Sequence, residues 1–344
     1  MILDGETLQL SPAVELLIRE SEELDLTGRL KTELFASIVE LNTDVCASVG
    51  EAGEALSALR RRADQVARAH GLRIAAAGTH PIGRPEGEAI TPDPRYLEFV
   101  EYAGISAHRQ GVSGLHVHVG MASADDCYRA LEGALPWLPV VLALSANSPY
   151  LAGSESGHMA VRAQVLAELP RAGAPPAFDS YAAWERFVER YVSLGLADGY
   201  TRFWWDIRPH PSFGTLEIRI PDQPTELGLT VALAALLQAL AVTALEHPAR
   251  ADRGDYAQNR WAALHSGPRA RLIHPKGDRL VPVPELAEEL LALVEPVAAE
   301  LGTARLLDRL EAARCEADRQ LEVGRANGLE AVCADLVERT VGST

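Results

Sequence analysis

Two segments constrain the fold more than any other part of the chain. Gly114–Met121 (GLHVHVGM) and Phe203–Asp222 (FWWDIRPHPSFGTLEIRIPD) alternate in character with a period of two, as a strand does when one face is buried and the other open. In the second, Leu216, Ile218 and Ile220 share one face, while Thr215, Glu217 and Arg219 share the other. In the first, His116 and His118 leave the same face. Each segment is half core and half chemistry. A histidine pair, a carboxylate and an arginine on strands suit a site that handles cations and anions together, as a metal-nucleotide site must.

The rest of the chain surrounds these strands with helices. Ser11-Pro12 predicts a helix opening that runs to about Ser21. A strand is expected over 33–42, a helix over 51–70 ended by Gly71, and a short buried strand over 72–77. Residues 84–94, rich in Pro, Gly and Glu, read as a mobile loop. Ser123-Ala-Asp-Asp126 opens a helix reaching Trp137, and 181–195 is amphipathic. Residues 204–222 read as a hairpin connected by 209–214. From Thr225 onward helices are expected over 225–247, 252–265, 284–301, 303–323 and 327–341. Strands interspersed with helices early, and helices alone late, predict an α+β fold: a mostly antiparallel sheet backed by helices. The whole chain, 1–344, reads as a single domain.

Bulk properties narrow the partners. A formal net charge of −16 argues against nucleic acid or an anionic membrane. The four cysteines, Cys46, Cys127, Cys315 and Cys333, form no CxxC pair and fit a reducing cytoplasm. No basic region followed by an apolar run marks a signal peptide at the start. The apolar stretch Leu227–Leu245 carries Thr230, Gln238 and Thr243 and reads as a helix buried against a sheet. The apolar helices after Thr225 leave two uses open, a core or the interface of a homodimer.

Each candidate residue has an ordinary reading beside the chemical one. His116 and His118 are either histidines at a core edge or part of a metal or phosphate site. Glu217 and Arg219 are either a surface ion pair or a ligand for a hard cation beside a guanidinium for an anion. Asp206 and Arg208 repeat that order one strand earlier. Glu40 ends an apolar run, where a charge is costly unless paired or metal-bound, whereas Glu33 reads as solvated. Arg162, Asn259, Arg260 and Arg319 lie in mixed helical segments, where surface roles are common. The sequence has no Walker-type glycine loop, no G-x-S-x-G elbow and no G-x-G-x-x-G fingerprint, so phosphate would have to be held by metal ions and arginines on a sheet.

Taken together, Val39-Glu-Leu-Asn-Thr43, Ala77-Gly-Thr-His-Pro81, Gly114–Gly120, Leu144-Ser-Ala-Asn-Ser-Pro149, Asp206-Ile-Arg-Pro209, Phe213–Arg219 and Gln258-Asn-Arg-Trp261 make the chain resemble the carboxylate–amine ligase family, also called glutamate–cysteine ligase type 2. That family lies in the glutamine synthetase-like superfamily. The resemblance implies a glutamine synthetase-like catalytic domain in which ATP phosphorylates a carboxylate, that of glutamate at the γ position, and an amine such as cysteine's attacks the acyl phosphate. It implies ATP and Mg²⁺ as cofactors and a small-molecule acid and amine as substrates. Matched by position, it implies Glu40, His116 and Glu217 at the metals, His118 toward substrate or transferred phosphate, and Arg219 neutralising the phosphoryl group. Arg208, Arg162, Asn259 and Arg260 would hold substrate or nucleotide.

One departure stands out. Family members open with a strand carrying consecutive glutamates, whereas this sequence begins Met1-Ile-Leu-Asp-Gly-Glu. The expectation is an N-terminal strand cut short, either by a misassigned start or in a non-catalytic relative. A zinc hydrolase using the His-x-His pair is the third reading and ranks last.

Overall fold

A computed structural model describes residues 1–21, 27–247, 250–312 and 314–342. In chain order its strands are β1 (Ile2–Asp4), β2 (Gly28–Thr32), β3 (Val39–Thr43), β4 (Leu72–Ile74), β5 (Val117–Gly120), β6 (Tyr150–Leu151), β7 (Ser154–Glu155), β8 (Ile207–His210), β9 (Thr215–Ile218), β10 (Arg271–Ile273) and β11 (Leu280–Pro282). The helices before the long hairpin are α1 (Val14–Ser21), α2 (Val49–Ala69), α3 (Pro94–Ala103), α4 (Ile105–His108), α5 (Ala124–Ala134), α6 (Leu138–Leu144), α7 (Val161–Leu166) and α8 (Tyr181–Ser193). Those after it are α9 (Leu227–Glu246), α10 (Arg253–Ser266), α11 (Val283–Glu300), α12 (Ala304–Ala312), α13 (Glu316–Asn327) and α14 (Leu329–Gly342).

The strands form small sheets, and every pairing between named strands is antiparallel. The central one has the order β5-β9-β8. Its register puts His118 opposite Glu217 and Glu217 opposite Arg208, so the three form one row across the sheet. The next row of the same face is Gly120, Thr215 and His210. Leu216, Ile218, Ile220 and Ile207 are buried on the other face. Helix α5 packs against β8 and β9, and α9 packs against α5 and β5. The alternation seen in the sequence therefore matches this sheet: apolar positions inward, polar positions toward the open side.

A second layer pairs β2 with β3 in the register Lys31–Glu40 and packs on α2. Ser48 caps α2 by accepting from Glu51 N, and Ser123 caps α5 by accepting from Asp126 N. Among the described residues one helix, α9, is long and apolar enough to cross a membrane, and 67% of its apolar window is buried inside the protein.

Several expectations change. The strand expected over 33–42 is confined to Val39–Thr43, because Leu34, Phe35 and Ile38 turn inward to form a small cluster of their own. The loop 84–94 is tied down: Ala36 N donates to Ala89 O at 2.9 Å, Thr91 N to Leu34 O at 2.9 Å, and the Thr91 hydroxyl to Glu33 O at 2.6 Å. Pro209 lies within β8, not in the connection; β8 is a sheet edge, where a missing N–H costs nothing. The helix expected over 303–323 is two helices, α12 and α13, with Arg314 and Cys315 non-helical between them; Ala313 lies outside the described residues. The β10–β11 hairpin interrupts what reads as all-helical sequence.

Candidate functional site

The polar face of β5-β9-β8 gathers most of the chemistry. Glu217, buried on the central strand, is held by two guanidiniums: Arg208 Nε donates to its Oε2 at 2.5 Å, and Arg219 donates to its Oε1. Burial alone would push the Glu217 carboxyl up, but Arg219 and Arg208 outweigh it and hold the group well below the usual carboxylate range. Arg208 also donates to the carbonyls of Thr201 and Phe203, each at 3.0 Å. It is therefore a buried strut beneath the site, with its donors largely committed.

His116 keeps solvent-exposed surface while many protein atoms lie around it. Arg219 Nη1 stands 3.4 Å from its Nδ1. Desolvation, then the charge of Arg219, hold His116 well below the ordinary histidine value, so it is neutral at pH 7. His118 is lowered as well, by desolvation first, with Glu217 opposing. Its Nδ1 meets the Thr215 hydroxyl at 2.9 Å, and its Nε2 lies 3.8 Å from Glu217 Oε1. Behind it, His210 and Phe213 stack at 4.1 Å between ring centroids, and His118 is edge-on to both.

Glu40 reaches the same region from β3. Its carboxyl is pushed up to about 7, by burial first and then by Glu33, with Lys31 and Arg219 pulling down and Glu217 pushing up again. Glu33, expected to be solvated, is a member of this group: burial raises its pKa against a backbone bond from Leu34 N (2.9 Å) and the pull of Arg219 and Arg95. Sequence reasoning passed over Glu33 because its only signal was a spacing of seven residues from Glu40.

The remaining candidates lie apart from that face. Arg162 is fully buried and donates to Ile220 O (3.1 Å) and Arg219 O (3.0 Å). Arg260 pairs with Asp206 (Nε to Oδ2, 2.7 Å), which also accepts from the Tyr256 hydroxyl at 2.7 Å. Asn259 brackets Ile273, donating to its carbonyl and accepting from its amide, both at 2.7 Å. Arg319 pairs with Asp335 on α14. Each of these is engaged by the protein itself, although the buried Nε of Arg162 has no hydrogen-bond partner. A separate cleft of about 270 Å³ is lined by His158, His265, Arg269 and Arg325 and shares no residue with the sheet face. Arg269 there is paired with Asp318 and Arg325 with Glu155.

Whether a divalent ion fits depends on which carboxylates are uncommitted. Among the described residues no three His, Cys, Asp or Glu side chains stand together as a ready-made cage. Glu217 is taken by its two arginines. Glu33 and Glu40, each driven up by burial and Glu40 further by Glu33, are short of positive charge. Mg²⁺ commonly takes one or two carboxylates and completes its shell with phosphate oxygens and water, so this pair fits an ion that arrives with a nucleotide.

Comparison with known proteins shows the family. The model of glutamate–cysteine ligase family 2 matches residues 2–334. A Rubrobacter xylanophilus protein named "Putative glutamate--cysteine ligase 2-3" is 40% identical over 98% of this chain and 94% of its own length. A Sorangium cellulosum protein named "Putative glutamate--cysteine ligase 2" is 37% identical over 98% and 93%. Among solved structures, the fold is similar to a glutamate–cysteine ligase from Francisella tularensis in complex with AMP, with a TM-score of 0.71 at 14% identity over 99% of this chain and 86% of that one. It is also similar to the Pup ligase PafA in complex with ADP, with a TM-score of 0.54 at 12% identity over 96% and 73%. The antiparallel sheet, its helical backing and the match over nearly the whole sequence lead to one assignment: the chain belongs to glutamate–cysteine ligase family 2, a family of ATP-dependent carbon–nitrogen ligases.

Proposed function

We propose that this protein joins a carboxylate to an amine at the expense of ATP, through an acyl phosphate, with the γ-carboxylate of glutamate as the acid and cysteine or a similar small amine as the nucleophile. The observation that carries the reading is the gathering, beside the polar face of β5-β9-β8, of the Arg219 guanidinium with neutral His116 and His118 and two under-compensated carboxylates, Glu33 and Glu40. Phosphoryl transfer asks a protein mainly for positioning and charge neutralisation, which is what these groups offer.

Glu33 and Glu40 would hold Mg²⁺, which supplies charge compensation for the phosphates when bound. Arg219, tethered through Glu217, would meet the equatorial oxygens of the transferred group. Arg208 keeps Glu217 ionised and fixed, so Arg219 keeps its direction. His118 is neutral and its Nδ1 is engaged by Thr215, which leaves Nε2 facing the site to receive or give a proton as the amine adds.

The test is ADP release with Mg²⁺, glutamate and cysteine, with the product identified by mass spectrometry. The reading requires turnover that depends on both substrates and falls by about 10²-fold or more in Arg219→Ala. Turnover unaffected by that substitution, or nucleotide hydrolysis with no amide product, would overturn it.

A further inference from the structure

The strand ends that carry His116 and Arg219 are bracketed from below by one buried side chain. The lead-in to β5 and the lead-out of β9 run side by side: Gly114 bridges Asp222, and Leu115 N donates to Pro221 O at 3.2 Å. Arg162, at the start of α7, lies under both. Its Nη1 donates to Ile220 O and its Nη2 to Arg219 O. Its own amide donates to Ser148 Oγ at 3.1 Å, and that hydroxyl donates to Asp222 Oδ2 at 2.6 Å, which Asn147 N also reaches at 2.9 Å. Asp222, completely buried, puts its other oxygen 3.9 Å from Arg162 Nη1. Gly114 lies so close to the guanidinium that an added Cβ would stand 1.9 Å from Nη2 and 2.3 Å from Cζ. The Gly114 backbone therefore packs directly against the guanidinium, and Arg162 is buried, with Nη1 and Nη2 on backbone carbonyls and Nε without a partner.

We propose that Arg162 is a positioning residue for the ligase reaction: by holding the carbonyls of Arg219 and Ile220, with Asp222 as its counter-charge and Gly114 as its lid, it sets where the Arg219 guanidinium stands relative to His116, and it does not bind substrate or nucleotide. This rests on the proposed function for its kinetic consequence, although the geometric part is independent of it. A guanidinium can bridge two carbonyls in one plane; an ammonium in the same place keeps the charge but loses the bracket.

The experiment compares the wild type with Arg162→Lys and Gly114→Ala, the second of which removes no polar group and only displaces the guanidinium. Two readouts are taken. In steady-state kinetics with MgATP, glutamate and cysteine, both variants are expected to lose kcat by roughly tenfold to a hundredfold, with KM for ATP and glutamate within about twofold. In ¹⁵N-labelled protein without substrates, the Arg219 Nε–H signal is expected to shift or broaden in both. A KM that rises about tenfold at unchanged kcat would make Arg162 a ligand contact and overturn the proposal. An unmoved Arg219 signal in both variants would overturn it as well. If the wild type shows no turnover while the signal moves as expected, the ligase reading fails and the bracket stands. Should Arg162→Lys not fold, Gly114→Ala carries the same comparison.

Discussion

Arg208 and Glu217 are joined across β8 and β9 by a 2.5 Å bond between Nε and Oε2, with both side chains buried. The pair sits between the apolar side of the sheet and the open site, so its charges have little access to water. Removing one partner strands the other. Glu217→Ala is expected to cost about 3–5 kcal/mol of unfolding free energy, and the double variant Arg208→Met/Glu217→Leu clearly less than the sum of its singles. Urea unfolding of the four proteins measures both; a Glu217→Ala cost below about 1 kcal/mol would mean that the charges are solvated after all.

Glu33 and Glu40 oppose each other in the absence of a cation. Replacing either by glutamine relieves that repulsion, so Glu40→Gln is expected to melt higher than the wild type in metal-free buffer, by about 1 kcal/mol at most because the site is partly open. Addition of MgADP should reverse the order, since only the wild type retains the full charge that the ion needs. Thermal melts with EDTA and with MgADP read this directly, and an unchanged ranking in the two buffers would count against an ion at these carboxylates.

His80 provides a pH dependence away from the site. Its Nδ1 accepts from Gly83 N at 2.8 Å, which leaves Nε2 to donate to Leu8 O at 3.0 Å. Burial lowers its pKa from 6.5 to about 4, with the Leu8 carbonyl resisting. Between these values the unfolded chain binds the proton and the folded one does not, so stability falls as pH drops through the window and the loss is complete below about 4. The residue's share is about 3 kcal/mol, from 1.36 kcal/mol per pKa unit. His80→Gln should be weaker at pH 7 and lack this part of the acid slope in urea melts from pH 7.5 to 4; a slope identical to the wild type's would refute the assignment.

The two faces of β9 were legible because they differ in chemistry, Leu216, Ile218 and Ile220 against Thr215, Glu217 and Arg219, but the order β5-β9-β8 and its register were not, since they depend on partners distant in the chain. The helix start at Ser123 was legible for a similar reason, a capping hydroxyl beside an acidic first turn, whereas the Ser48 cap that starts α2 at Val49, before the expected residue 51, was not read. What was hidden depends on partners far along the chain. Glu33 is half-buried, its carbonyl held by the Thr91 hydroxyl of the returning 84–94 segment. Arg162 and Arg260 look like any helical arginine until the carbonyls of Arg219 and Ile220 and the carboxylate of Asp206 arrive beside them. The β10–β11 hairpin has strands of three residues each, too short for a period of two to register.

Helix α9 is covered in two instalments. Helices α2 and α5, made before it, and α11 and α12, made after it, all pack on it. During synthesis, then, twenty nearly uncharged residues emerge before two of the helices that pack on them, and that packing is complete only once the chain has been extended to about Ala312. Until that point the nascent protein carries an exposed greasy rod of the length that a translocon or a chaperone would take up. Helices α11 and α12 therefore act as an intramolecular shield for α9 as well as architecture.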